Sequence, residues 1–456
     1  MPVIQPPSSF SGLASNIDTG GIVERLMQIE RAPETQLDNN IQKVQQTKAA
    51  WTGVNGALLN LKVAGDALGD TSLWSSLGAT VSDQTAAAAS ANASAAAGTY
   101  NITIDHLARA ESDISGSFGS ETNALGLSGT FSLTVGGTAK SVTVATTDSL
   151  DSLRDKINKA GAGVTATVVS TTPGTFALLV QANSTGTASA IAFGDDATNH
   201  TLRSLGLLTG ADAKNAVQAA QDAQFSINGL TFTRSSNTVT DAITGVTLSL
   251  KALNTTGFTL TVQSDTATMS SRIQDFVSRF NATHATISQL TGQGALLQGD
   301  SALNGIASQL ATLSYNTVSG LSGPNNLSQI GVTLQRDGTL AVDSVTLNKA
   351  LGDNLTGVKA LFTTATSVTV ARFSTYLGGL TRSTGTLSAL SQSFDSQVQD
   401  MQRQRQAMEV ALNLRQETLK AQFTAMEVAV HQFQAQGNWL SSQISGLSGG
   451  ASGGGK

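Results

Sequence analysis

The sequence predicts an α+β multidomain chain. Helices from both termini form a coiled-coil or bundle stalk, and antiparallel β-rich domains are inserted between them. Three observations predict this. Apolar residues recur at helical spacing near both ends, over Gly20–Gln46 and Gln422–Ser445. Between Tyr100 and about Val262 the period is mostly two, with turn signals between the runs. Two amphipathic segments this far apart each need a cover for one face, and packing them on each other brings the termini together.

The elements follow in order. Residues 1–19 carry three prolines with little periodicity and read as disordered in the isolated chain. Asp18 or Thr19 can cap the helix that follows. A stripe of Ile22, Leu26, Ile29, Leu37, Ile41, Val44, Trp51, Leu58 and Leu61 steps by threes, fours and their sums. Pro33 predicts a break near Ala32, because proline removes a hydrogen bond and crowds the preceding turn. A second helix is expected from about Glu34 to Leu68.

After Gly78 come strands: "TYNITID", "GTFSLTVGGTAKSVTV" with a hairpin signal at Gly136–Gly137, "GVTATVVSTTPGTFALLVQA", "AQFSINGLTFTRSS", "GVTLSLKAL" and "GFTLTVQSD". One short helix, Asp148–Gly161, interrupts them, with Asp148 or Ser149 as cap and Gly161 as stop. Helices return from Ser264, then a hairpin at Asp337–Gly338, then a long helix from about Gly385. Its seam runs Leu387, Leu390, Phe394, Val398, Met401, Met408, Leu412, Leu419, Phe423, Met426, Val430 and Phe433, with Arg405 and Arg415 at the two remaining seam positions. Buried charge there costs stability but specifies register or partner. "GLSGGASGGGK" reads as a flexible end.

Composition excludes several functions. Charged residues make up 12% of the chain, about half the usual share, so the surface is polar but weakly charged. A net charge of −5 offers no basic footprint for nucleic acid. With no cysteine there is no disulfide framework, thiolate zinc site or Cys nucleophile. No run of about 18 apolar residues predicts a membrane span. The start has no basic segment followed by an apolar run, so no secretory signal peptide is expected; the chain stays inside or leaves by a route that cleaves none.

Catalytic and ligand sites find little support. His106, His200, His284 and His431 have no metal-ligand spacing. Asp195–Asp196 lacks the alternating oxygens of a calcium loop and reads as a turn. "GQGALLQGD" lacks the Gly-Lys-Ser/Thr ending of a phosphate cradle and reads as a helix-to-helix turn capped by Asp300. No "GxSxG" elbow occurs. The expectation is no enzyme, no metal and no cofactor.

The residues singled out are therefore helical interaction positions: Ile22, Leu26, Ile29, Leu37, Ile41, Val44, Trp51, Met401, Met408, Leu412, Leu419, Phe423, Met426, Val430, Phe433 and Trp439. Before about residue 415 the bland reading is packing within the chain's own bundle. For Phe423, Met426, Val430, Phe433 and Trp439, intermolecular packing is expected, because only the N-terminal helix is available to cover them.

Four stretches give the chain a family resemblance: "SGLASNIDTGGIVERLMQIERAPETQLDNNIQ", "AQFSINGLTFTRSSNTVTDAITGVTLSLKA" (Ala223–Ala252), "GVTLQRDGTLAVDSVTLNKAL" (Gly331–Leu351) and "LKAQFTAMEVAVHQFQAQGNWLSSQI" (Leu419–Ile444). In this order they resemble the flagellar hook-associated protein 2 family, the filament cap. Within them, Ala223–Ala252 resembles the recurring sheet motif of hook and flagellin-type proteins. Residues 111–214 match no pattern, where this family varies most.

The resemblance implies export through the flagellar type III route without a cleaved signal, a place outside the cell at the distal tip, and a homo-oligomeric ring, a pentamer or a neighbouring number. It implies flagellin, hook-associated junction proteins and an export chaperone at the C-terminal helix as partners, with no nucleic acid and no membrane insertion. The function implied is to promote folding and polymerisation of exported flagellin and prevent its loss to the medium.

The alternative is a tip adhesin binding host glycans or surfaces through the β-rich insertion. A filament or junction subunit would share the helical ends, but "RAP" with "GNWLSSQI" points to the cap. The expected division is 1–45 N-terminal leg, 46–80 first stalk part, 81–110 first head part, 111–214 variable β-rich domain, 215–264 second head part, 265–415 stalk with a small hairpin, and 416–456 C-terminal leg and tail.

Overall fold

A computed structural model describes residues 17–210, 212–363 and 370–449. Most of the segment expected to be disordered, residues 1–16, and the last part of the tail, residues 450–456, lie outside the described residues. The described helices are α1 (Thr19–Glu30), α2 (Ala32–Gly69), α3 (Leu150–Ala160), α4 (Thr201–Leu205), α5 (Thr266–Thr291), α6 (Ser301–Tyr315), α7 (Ser344–Asp353), α8 (Leu355–Thr363), α9 (Val370–Thr381) and α10 (Thr386–Gly449). The chain divides into two units, one of residues 1–69 with 272–456 and one of residues 70–271.

The first unit is helical. The Asp18 carboxylate accepts from the Gly21 N–H at 2.9 Å and starts α1. The break falls at Arg31, and Pro33 sits in the first turn of α2, where its missing N–H matters least. α2 packs on α8, α9 and α10. Val54, Leu58, Leu61 and Leu68 are fully buried along its inner face. Phe373 of α9 meets Phe276 and Phe280 of α5 edge-on, with ring centroids 5.4 and 6.4 Å apart.

Local signals end several elements here. Asp300 accepts from the N–H groups of Ala302 and Leu303 and caps α6. Strands Val332–Leu334 and Leu340–Val342 form the hairpin expected at Asp337–Gly338. α10 runs for 64 residues, about 96 Å, and takes in Gly446–Gly449, which the sequence assigned to a flexible tail.

The second unit holds two β-rich cores. In the first, strands Leu77–Val81, Asn254–Ser264, Gly98–His106, Ala223–Ile227 and Leu230–Arg234 form an antiparallel sheet in that spatial order. A three-stranded sheet of Thr238–Val239, Val246–Leu250 and Ala87–Ala91 shares its core of Ile102, Ile104, Phe225, Leu248 and Leu260. Alternate residues of Ala223–Ile227 and Val246–Leu250 are buried, the period-two pattern of a half-covered sheet.

The second core lies between strands Ala216–Gln218, Ser112–Ile114, Thr175–Ala182 and Val164–Thr172, strands Thr138–Val144, Gly129–Val135 and Ala192–Gly194, and α3 and α4. Gly136 and Gly137 have φ of 59° and 85°, the pair of positive values that a two-residue hairpin requires. α3 opens on a reciprocal capping box between Ser149 and Ser152 and stops at Gly161.

Candidate interaction surface of the terminal helices

α1 and α2 run antiparallel to α10. Glu30 accepts from Arg415 at 3.1 Å and Asp38 from Arg405 at 3.3 Å, and Lys48 donates to Asp395. Residue numbers rise on one side as they fall on the other. The two arginines expected to sit as buried charges in the seam are instead half-exposed and paired. Exposed pairs contribute at most about 1 kcal/mol each. Their use is positional: three pairs in sequence disfavour a slipped register.

The apolar cover of α1 is small. Val23 and Met27 are buried against Leu412 and Leu419, with Met408 and Phe423 partly buried around them. The covered pair of α1 is thus not the set of Ile22, Leu26 and Ile29 singled out from the sequence as interaction positions. Ile22, Leu26 and Ile29 lie on the flank next to that pair, about 100° round the helix; Ile29 is 73% exposed, whereas Ile22 and Leu26 are only 36% and 39% exposed. Both sets recur at helical spacing, and the break at Arg31 lets α1 turn independently of α2, so a stripe carried across Pro33 does not hold its phase.

On α2, Ile41 and Trp51 are buried and Leu37 and Val44 half-buried. Val54, unassigned from the sequence, is the residue that completes this stripe between Trp51 and Leu58. On α10, Met401 and Met408 are half-buried and Leu412 and Leu419 buried. Phe423 and Val430 are half-buried, while Met426, Phe433 and Trp439 are exposed. The structure thus gathers Leu412, Leu419 and Phe423 with Val23 and Met27, and leaves the last five turns of α10 apolar and bare at Phe433, Trp439, Leu440 and Ile444. A groove of about 610 Å³ between α2 and α10 has Ile41 at its side and is otherwise lined by the polar Asp38, Gln42, Gln45, Gln402, Arg405 and Gln406.

The β-rich unit contains charges that the sequence pattern does not reveal. Glu111 and Asp113 are 3% and 0% exposed. Asp113 pairs with Val180, which pairs with Ala166; directly opposed residues share a face, so Asp113 points with them into the core. Glu111 accepts from the Ile191 N–H at 2.7 Å and from the Lys214 ammonium. Among the described residues, neither oxygen of Asp113 has a hydrogen-bond partner. Burial, with the Glu111 charge beside it and Lys214 opposing, pushes the Asp113 carboxyl up to about 6. Alternation alone places a polar residue on either face of a strand, which is why this pair is not legible in the sequence.

Asp195 and Asp196 organise a loop. Asp195 accepts from the N–H groups of Leu202 and Arg203 at the start of α4. Asp196 accepts from Thr130, Thr198 and Asn199, and these backbone hydrogen bonds hold its carboxyl down at about 2. Among the described residues no group of three His, Asp or Glu side chains is placed to hold a metal.

Comparison with known proteins gives a consistent result. Residues 15–111 match the flagellar hook-associated protein 2 N-terminus family and residues 220–435 its C-terminus family. Residues 130–189 match the flagellin hook IN motif. That motif therefore lies inside the segment read as matching no pattern, while Ala223–Ala252 falls in the C-terminus family. The chain is 30% identical over 465 aligned residues to flagellar hook-associated protein 2 of Escherichia coli K12, covering 96% of this chain and 98% of that protein. It is 28% identical to the A-type protein of Pseudomonas aeruginosa, over 97% and 98% of the two chains. The crystal structure of the E. coli flagellar cap protein FliD D1-D2-D3 domains matches with a TM-score of 0.56 at 31% identity, covering 76% of this chain and 99% of that one.

Proposed function

Because this chain belongs to the flagellar hook-associated protein 2 family, whose members form an oligomeric cap on the flagellin filament, we propose that its terminal helices are the legs by which a ring of copies grips the filament end. The chain is a flagellar filament cap protein, a structural protein placed at the distal tip and exported by the flagellar route. Its work is to keep exported flagellin at the tip while each subunit folds and joins the filament.

The observation that carries the reading is agreement over nearly the whole chain with cap proteins, joined to a helical unit and a β-rich unit in one polypeptide. In this reading 1–45 and 416–456 are legs, 46–80 and 265–415 form the stalk, 81–110 and 215–264 the head, and 111–214 the variable outer domain. The bare turns of α10 supply apolar surface for flagellin and for hook-associated junction proteins. Before export the same surface suits a chaperone. Five copies, or a neighbouring number, close the ring. The comparisons lend no support to the adhesin alternative.

Deletion of the gene is the test. Hooks should remain while flagellin accumulates in the medium and filaments are absent. Filaments of normal length in the deletion strain would refute the reading.

A further inference from the structure

The stripe that α1 covers on α10 runs on past the start of α1. Leu412, Leu419 and Phe423 lie in the cluster with Val23 and Met27. Met426, Val430, Phe433, Leu440 and Ile444 continue it by threes, fours and sevens, so at about 100° per residue they stay on the same side of the helix. There Phe433 is 71%, Leu440 54% and Ile444 58% exposed. α1 begins at Thr19, and its cover ends with it. The register of Glu30–Arg415, Asp38–Arg405 and Lys48–Asp395 puts Ile17 level with about residue 427. Beyond that level α10 runs on for about 33 Å, to Gly449.

We propose that residues 1–16 of the same chain lie extended along this stripe, with Leu13 against Phe433 and Phe10 against Leu440 and Ile444. Four observations name this occupant. The first is position. α1 runs antiparallel to α10, so the chain before Ile17 starts at the edge of the bare stripe. The second is reach. Asp18 ends α1 in a non-helical conformation, ψ 78°, and Pro2, Pro6 and Pro7 oppose a further helix. An extended chain advances about 3.1 Å per residue and a helix about 1.5 Å. Leu13 then falls level with about residue 435 and Phe10 with about residue 441.

The third is chemistry. Neither residues 1–16 nor residues 428–449 contain Asp, Glu, Lys or Arg, so covering one with the other desolvates no charged side chain. The fourth is tethering. Joined through α1, the segment meets the stripe at roughly millimolar effective concentration, far above a free partner in dilute solution. An outside protein then reaches this part of the leg only where residues 1–16 leave it. That consequence rests on the cap reading; the contact itself does not.

The chain has no cysteine, so disulfide trapping is clean. Ser11 and Ser441 adjoin Phe10 and Leu440, and replacing them leaves the apolar residues in place. Full-length Ser11→Cys/Ser441→Cys is mildly oxidised in dilute solution and digested. An intrachain bond between the peptides carrying positions 11 and 441 is expected. It should form at least about tenfold faster than in Ser11→Cys/Val410→Cys, whose second position lies about 46 Å further along the helix. Equal rates would mean random sampling and overturn the proposal, as would no intrachain bond. A bond between chains, formed as strongly in a mixture of the two single variants, would assign the stripe to a second copy and again overturn it.

As a second measurement, Phe10→Ser with Leu13→Ser should speed amide exchange over residues 430–444 by about fivefold or more and leave residues 51–68 unchanged. Unchanged exchange over 430–444 refutes the contact. Loss of the trapped bond sinks only this contact, whereas filament growth without the chain sinks the cap reading and leaves the bond standing.

Discussion

Replacing Asp113 by Asn should stabilise the protein at neutral pH and leave it unchanged in acid. The carboxyl lies in the core beside Val180 and Ala166, with no hydrogen-bond partner among the described residues and with Glu111 as a like charge. Its folded value of about 6 exceeds the ordinary 3.8. The folded state therefore holds the proton more tightly than the unfolded chain. Stability from this group is full below about pH 3.8, falls as pH rises, and is lost once pH passes about 6. A difference of about two pH units corresponds to about 3 kcal/mol.

Asp113→Asn removes the ionisation but keeps the size. It should gain up to about 3 kcal/mol at about pH 7.5 and roughly nothing at about pH 3.5. Urea unfolding followed by hydrogen exchange of peptides spanning residues 111–116 and 176–182 reads this core separately from the helical unit. An equal difference between variant and parent at both pH values would refute the reasoning, as would a loss of stability at the higher pH.

Lys214→Met leaves Glu111 buried without its cation and should destabilise the same peptides by about 3–5 kcal/mol, measured in the same urea series. Phe373→Ala removes the ring packed edge-on against Phe276 and Phe280 and should cost about 3–5 kcal/mol in the unfolding of the helical unit. Val23→Ala with Met27→Ala removes the α1 side of the Leu412–Leu419 cluster; exchange should accelerate over residues 19–30 while residues 51–68 keep their protection. The amide signals of Thr198 and Asn199 should titrate with the Asp196 carboxylate at about pH 2, because the contribution of a lowered group is present above its ordinary value and lost as pH falls; a midpoint at 3.8 would contradict the hydrogen bonds assigned to it.

Local chemistry was decided by the sequence itself. Asp300 and Ser149 cap helices because a short oxygen-bearing side chain reaches the free N–H groups of the first turn wherever a helix begins. Gly136–Gly137 and Asp337–Gly338 turn hairpins because few residues other than glycine accept the required φ. Alternation placed the strands, and the three-four spacing placed α2 and α10. These features depend on neighbours within a few positions.

Partners distant in the chain were decided only by the tertiary structure. Ile22–Leu26–Ile29 and Val23–Met27 are equally good helical stripes, and only the position of Leu412 and Leu419 selects the latter as the covered one. Arg405 and Arg415 became paired register marks because Asp38 and Glu30, hundreds of residues away, stand beside them. Asp113 became a buried acid because its strand lies between Ala216–Gln218 and Thr175–Ala182 with that face toward the core. A residue's periodicity shows that it has a face; which face is covered depends on what the rest of the chain brings to it, and that is a property of the folded molecule.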